Sequence, residues 1–310
     1  MSLRIGTRGS QLALAQAEGV RAQIALLWPK EEVILEVVKT LGDRLSAREA
    51  EQEGGEPPQG LFTKELDEAL LSGKIRAAIH SLKDVPTTFP AGIQFGAFLQ
   101  REDPRDALIS RSGVNFLQLT AGSRIGTSSP RREAQIRAAR PDLQVAPLRG
   151  NVDTRLRKLT EGEADALVIA AAGLKRLGRE KEVTEYLPPE VILPAPAQGV
   201  LCVTLRQDDR ELLNTLEHLN HAPTRICAEA ERAFLRTLQG GCRVPVGALA
   251  SIEEQTLTLY GVIANPNGKQ IIRNSLSGSK DKPVEVGNDL AERFLSKGAK
   301  GILNNFGRST

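Results

Sequence analysis

The chain has 310 residues, 40% of them apolar and 25% charged, which exceeds what one core usually serves and sets the expectation at two or three domains. Its 41 basic residues against 38 acidic leave a net charge of only +3, and with 4% aromatic content there is little to hold a nucleic acid. Three scattered cysteines, in no C-x-x-C or C-x-x-H pattern, exclude a disulfide scaffold and a structural zinc, and no apolar run approaches membrane-spanning length.

Met1 leads straight into the strand-like "LRIGT", with no basic leader before it, so a cytoplasmic protein is the expectation. A helical stretch, "SQLALAQAEGVRAQIALL", and a strand, "VILEVVKT", follow. Residues 42–60, "GDRLSAREAEQEGGEPPQG" from Gly42 to Gly60, are acidic and nearly devoid of apolar side chains, and read as a surface lid loop. The helix "FTKELDEALLSG" and the strand "IRAAIHS" complete a first α/β series. A second begins near residue 100 with "DALIS", then "SRIGTSSPRREAQIRAAR", "LQVAPLRG" and "DTRLRKLTEGEADALVIAAAGLKRL". The phrase "RIGT" opens both series, at Arg4 and at Arg124, which predicts two similar lobes. The Pro-stiffened "PAPAQGVLCVTLR" predicts a crossover back to the first lobe, so that two strands of chain form a hinge. From His221 the texture is α+β: the helix "TRICAEAERAFLRTL", three strands around an Asn-Pro-Asn-Gly turn, and the helix "VEVGNDLAERFLSKG". The expected domains are 1–99 with 199–217, 104–193, and 221–310.

In open parallel sheets ligands bind beyond the carboxyl ends of strands. Here those ends are cationic one after another. Arg8 and Ser10 follow "LRIGT", Lys83 and Asp84 follow "AAIHS", and Ser128, Ser129, Arg131 and Arg132 follow "SRIGT". Arg149 and Arg155 follow "VAPL", and Lys175 and Arg176 follow "LVIAAAG". Such a cleft suits a polyanion. In "GTSSPRRE", Ser129 can cap a helix whose first residue is Pro130, with free N–H groups and two guanidiniums facing the anion. No phosphate-binding glycine motif is present, which favours a polycarboxylate over a nucleotide. Asp84 is the acid in this basic set, placed to stabilise positive charge or relay a proton, or else to serve as a salt bridge or helix cap. His80 reads as a strand-end hydrogen-bonding residue. Cys202 and Cys227 read as small core residues, whereas Cys242, in "QGGCRVPVGA", has glycine flexibility and an adjacent Arg243 to favour the thiolate. Its use as a nucleophile or as an attachment point stays open on these grounds.

Assembled, these stretches resemble the porphobilinogen deaminase family along essentially the full chain. The resemblance rests on "RIGTRGSQLALAQ", "GLFTKELDEALL", "HSLKDVPT", "REDPRDALIS", "GTSSPRREAQ", "LRGNVDTRL", "ALVIAAAGLKRLG", "PAQG" and "GGCRVPVGA". It implies two periplasmic-binding-protein-like (type II) α/β lobes joined by a two-strand hinge, plus a small α+β C-terminal domain. It also implies a monomeric transferase of tetrapyrrole biosynthesis, whose substrate is porphobilinogen and whose dipyrromethane cofactor is bound as a thioether to Cys242. Four porphobilinogens are deaminated and joined head to tail, and 1-hydroxymethylbilane is released. By resemblance Asp84 is the catalytic carboxylate, and Ser81, Lys83, Thr127, Ser128, Ser129, Arg131, Arg132, Arg149 and Gly150 bind cofactor with it. Arg8, Ser10, Phe62, Arg149, Arg155, Arg176 and Gln198 bind substrate, and Asp43 lies near the lid. The chain departs from the family where Gln59 replaces a lid lysine, Leu41 a basic residue and Pro130 a leucine, and where "PAPAQG" replaces Pro-Ala-Val-Gly-Gln-Gly. A non-catalytic two-lobed anion-binding protein would explain the basic cleft, but leaves Asp84 and Cys242 without a task.

Overall fold

A computed structural model describes residues 2–29, 31–40, 63–238 and 245–306; the 42–60 loop with Asp43 and Gln59, Leu41, Phe62 and Cys242 lie outside the described residues. The backbone divides into two compact units, Met1–Glu102 with Val200–Arg225, and Asp103–Gly199 with Ile226–Thr310.

The first unit carries strands β1 (Leu3–Thr7), β2 (Val33–Val37), β3 (Ala77–Ser81), β4 (Ile93–Phe98) and β10 (Leu201–Arg206), in the order β2-β1-β3-β10-β4. β1 is parallel to β2 and β3, while β10 runs antiparallel between β3 and β4. Both faces are covered, as the near-continuous apolar strands require. On one face helix α1 (Gln11–Leu27) presents Ala17, Val20 and Ile24, spaced to fall on a single helix stripe, and Leu212 and Leu216 join them from α6 (Arg210–Leu216). On the other face Leu66 and Leu70 of α2 (Lys64–Leu71) pack on Ile75, Ala78 and Ile93.

The second unit repeats that plan. Its strands β5 (Asp106–Ser110), β6 (Arg124–Gly126), β7 (Gln144–Ala146), β8 (Ala166–Ala170) and β9 (Glu185–Leu187) lie in the order β7-β6-β8-β5-β9. β6 is parallel to β7 and β8, and β5 is the antiparallel strand. The two "RIGT" phrases therefore occupy the same place in the two sheets. The antiparallel strand has a consequence for the site. β5 begins at the sheet edge where its neighbours end, with Asp106 opposite Ala170, just as Leu201 of β10 lies opposite Ser81. Helices α3 (Pro130–Ala139), α4 (Val152–Thr160) and α5 (Ala171–Arg176) start at that same edge.

The rest of the second unit is an antiparallel meander, β11 (Val246–Glu253), β12 (Thr256–Ala264) and β13 (Ile271–Ser279), with helices α7 (Ala222–Thr237), α8 (Pro283–Ser296) and α9 (Ala299–Phe306). Leu257, Leu259 and Ile263 alternate along β12 onto Phe234 of α7 and Leu290 and Phe294 of α8. The two phenyl rings meet edge to face at 5.1 Å. The expected turn closes at Gly268 (φ +71°), whose N–H donates to Asn265 O at 2.9 Å.

Glu231 of α7 is 0% exposed and accepts two backbone N–H groups, from Ala197 at 2.6 Å and from Ala250 at 2.8 Å. One carboxylate thus fastens the helix to the crossover turn and to β11. Ala197 sits at φ +62°, a left-handed conformation that costs a non-glycine residue about 1 kcal/mol or more. Glu231→Gln turns one of the two acceptors into a donor facing an N–H, and should lower the unfolding free energy by about 2 kcal/mol. Urea denaturation checks this; an unchanged midpoint would show that Glu231 fastens nothing.

Candidate functional site

In the first unit a small pocket of about 30 Å³ is lined by Arg8, Ala13, Gln16, Thr63, Ile79, His80, Ser81 and Asp84. Asp84 lies in the single helical turn Leu82–Asp84 that ends β3, which lifts its carboxylate beyond the sheet edge. It is half-exposed, and among the described residues no hydrogen bond or ion pair engages it. Arg8 follows β1 on the adjacent strand, and Lys83 beside Asp84 is half-exposed. Ser81 donates from Oγ to Gln16 Oε1 at 3.2 Å. Ser10 is the N-cap of α1, its Oγ accepting from Ala13 N at 3.2 Å.

His80 is buried behind this wall. Its Nε2 lies 3.1 Å from Thr204 Oγ1, and that hydroxyl lies 3.5 Å from Ala78 O, so the hydroxyl donates to the carbonyl and accepts from Nε2–H. The ring is therefore the Nε2–H tautomer. Burial, and then the Arg8 charge, push its pKa down to about 4, and it stays neutral at physiological pH.

The second unit brings together a cluster around Asp106, the first residue of β5. Asp106 Oδ1 accepts from Arg132 Nε at 3.0 Å, Arg132 Nη2 at 2.7 Å and Gln198 Nε2 at 2.9 Å. Arg131 Nη1 makes a 2.8 Å ion pair with Oδ2 and donates to Leu193 O at 2.7 Å. Burial alone would raise the Asp106 pKa, but the two guanidiniums overcome it and hold the carboxyl well below the usual carboxylate range. Ser129 caps α3 by accepting from Arg132 N at 3.5 Å, and Thr127 Oγ1 accepts from Ser129 N at 3.3 Å. Ser128 is exposed. Arg155 of α4 donates from Nε to Gly150 O at 2.8 Å, across a turn in which Gly150 has φ +114° and a Cβ would lie 2.7 Å from Thr154. Burial, then the nearby charge of Arg132, pull the Arg155 pKa down to about 10. Arg149 is exposed beside this turn, and Arg176 is tied through Nη2 to Gly199 O at 2.7 Å.

Two placements differ from the sequence expectation. Arg131 and Arg132 do not both point freely at an anion; each commits part of its guanidinium to Asp106. Gln198 is buried, its amide donating to Asp106 and, at 2.8 Å, to Pro104 O. Asp106 itself is absent from the sequence expectation, because a search beyond the carboxyl ends of strands passes over the first residue of an antiparallel one. The available signal is the acid that opens the apolar run of "DPRDALIS". Gln16 and Thr63 are also pocket residues without a sequence signal.

Comparison with known proteins gives a consistent picture. The family profile described as "Porphobilinogen deaminase, dipyromethane cofactor binding domain" matches residues 3–214, and "Porphobilinogen deaminase, C-terminal domain" matches residues 225–296. A porphobilinogen deaminase of Syntrophobacter fumaroxidans is 46% identical over 307 residues, 99% of this chain and 98% of its own. One from Trichlorobacter lovleyi is 48% identical over 301 residues, 97% of this chain and 95% of its own. Among solved structures, a TRAP periplasmic solute binding protein from Pseudomonas putida F1 with bound D-glucuronate aligns over 76% of this chain and 81% of its own, at 11% identity and a TM-score of 0.41.

The buried His80 generates a pH test. The folded protein keeps the ring neutral down to about pH 4, whereas the unfolded chain takes up the proton near its ordinary value of 6.5. Its contribution to stability is therefore full above pH 6.5 and is lost as pH falls toward 4, a change on the order of 3 kcal/mol. The stability difference between wild type and His80→Gln should accordingly shrink between pH 7.5 and 4.5 in urea titrations. A difference independent of pH would contradict the buried neutral imidazole.

Proposed function

We propose, from the premise that this chain belongs to the porphobilinogen deaminase family, that its two residue clusters bind the carboxylates of the pyrrole units and that Cys242 carries the cofactor. The reaction of this transferase is the head-to-tail condensation of four porphobilinogen molecules on a dipyrromethane cofactor, with release of ammonia and of 1-hydroxymethylbilane. When bound, the cofactor supplies the pyrrole carbon onto which the chain grows. Each pyrrole unit carries an acetate and a propionate, so both cofactor and product are polyanions.

The observation that carries the assignment is a charge imbalance. Arg131, Arg132 and Arg155 adjoin one another, and among the described residues only Asp106 opposes them. The remaining guanidinium edges of Arg131 and Arg132, with the Thr127, Ser128 and Ser129 hydroxyls, fit carboxylates, and exposed Arg149 lies beside Gly150. In this reading these residues hold the cofactor carboxylates, and Arg8, Ser10, Phe62, Arg155 and Arg176 bind those of the substrate. Gln198 acts through Asp106 and not by direct contact. Lys83 and Ser81 support Asp84, whose carboxylate accepts pyrrole N–H groups, offsets the positive charge that develops as ammonia leaves, and takes up a proton at its oxygen. The chain is read as a cytoplasmic monomer of three domains, 1–99 with 199–217, 104–193 and 221–310; among the described residues no helix is long and apolar enough to cross a membrane. A purely anion-binding protein would leave the uncommitted Asp84 carboxylate unexplained.

Intact mass after incubation with porphobilinogen tests the attachment. Wild type should carry two linked pyrrole units and Cys242→Ser none; an unmodified wild type, or a modified Cys242→Ser, would refute it. Asp84→Asn should lower kcat by roughly 10²- to 10⁴-fold, measured as hydroxymethylbilane formed, and full activity would remove Asp84 from the chemistry.

A further inference from the structure

Asp106 is 0% exposed and reaches no solute, while Arg131 and Arg132 are 4% and 5% exposed. Two adjacent arginines on one buried carboxylate make a poor device for stability. Burying each ion costs several kcal/mol before pairing, and apolar residues of similar volume commonly do as well or better. The cluster is also incomplete, since one negative charge faces two guanidiniums and a third lies close by on Arg155.

The geometry of the pairing shows what the carboxylate does. It takes the Nε and Nη2 edge of Arg132 and one terminal nitrogen of Arg131. Two nitrogens on one oxygen fix the plane of the Arg132 guanidinium, and Arg131 Nη1 is held between Asp106 Oδ2 and the Leu193 carbonyl, which leaves Nη1 of Arg132, and Nε and Nη2 of Arg131, as the edges for an incoming anion. Asp106 is itself fixed from two sides, by the register of β5 against Ala170 and Leu187 and by the Gln198 amide that also holds Pro104 O. We infer that Asp106 is a positioning residue for cofactor and substrate binding: it orients Arg131 and Arg132 so that their remaining edges receive a pyrrole carboxylate. The inference rests on the proposal that these arginines bind such carboxylates.

Charge counting and positioning predict opposite signs. Asp106→Asn raises the local charge by one, so if Asp106 were only a counterion the site would hold a carboxylate at least as tightly as before. If it positions the arginines, binding weakens despite the added charge. The experiment takes full-length apoprotein, adds porphobilinogen, and follows by intact mass the rate at which Cys242 acquires two pyrrole units, with KM and kcat measured on the loaded forms. Asp106→Asn should load more slowly and show a higher KM, each by roughly tenfold or more, with a smaller change in kcat. Because the added charge of Asp106→Asn works against folding, Arg131→Met and the double variant Asp106→Asn/Arg131→Met form a second comparison; the double variant has the wild-type local charge. There Arg132 alone reads the carboxylate, and the double variant should load roughly tenfold more slowly than Arg131→Met. Urea midpoints run alongside separate loss of fold from loss of orientation. Loading and KM equal to or better than the parent in either comparison would overturn the inference. Arg132→Leu distinguishes this from failure of the underlying proposal: if it too loads at the wild-type rate, the arginines do not bind pyrrole carboxylates at all.

Discussion

One carboxylate without access to water, shared by two consecutive arginines, is the interaction on which the chemistry proposed for the second unit depends. It sets three charged groups in a medium that penalises each of them, and the folded chain makes this tolerable through short hydrogen bonds from Arg132 and Gln198 and an ion pair from Arg131. The residual positive charge, augmented by Arg155, is then a property of a rigid framework and not of mobile surface side chains. A site that must hold carboxylates in a fixed orientation needs such an arrangement, since a loose lysine or arginine would attract them without orienting them.

Topology makes this placement possible. In each of the two α/β sheets an antiparallel strand is inserted fourth in the order, so its first residues reach the edge where parallel neighbours deliver their last. In the second unit that edge receives an acid, Asp106, to complement the arginines. In the first unit β10 reaches it next to Ser81, while β3 itself delivers the acid, Asp84, after its last residue. One carboxylate is buried and paired with two guanidiniums, and the other is half-exposed with no partner among the described residues. In the proposed reading their environments divide the work between holding charge in place and meeting the reacting molecule.

Much of this was legible from local pattern. The "RIGT" phrases mark equivalent strands, Ser129 and Pro130 cap α3 as read, and the Asn-Pro-Asn-Gly turn closes at Gly268. Arg8, Ser81 and Asp84 share a pocket because parallel strands bring their ends to one edge. What local pattern does not encode is partner choice. Asp106 and Arg132 are 26 positions apart and Gln198 is 92 from Asp106, so no window of sequence joins them. Strand direction is equally hidden, since "DALIS" reads the same whether parallel or antiparallel. The hydrogen-bond partner of His80 is equally remote, since Thr204 lies 124 positions away on β10.

The central claim is that the guanidinium edges left free by Asp106 receive the carboxylates of the bound pyrrole chain. A crystal structure of the cofactor-loaded protein tests it most directly. The account predicts cofactor carboxylate oxygens about 3 Å from Arg131 and Arg132 nitrogens not already engaged by Asp106, with the Asp106 contacts intact. Carboxylates held elsewhere, or an Asp106 released from both arginines in the loaded state, would contradict it.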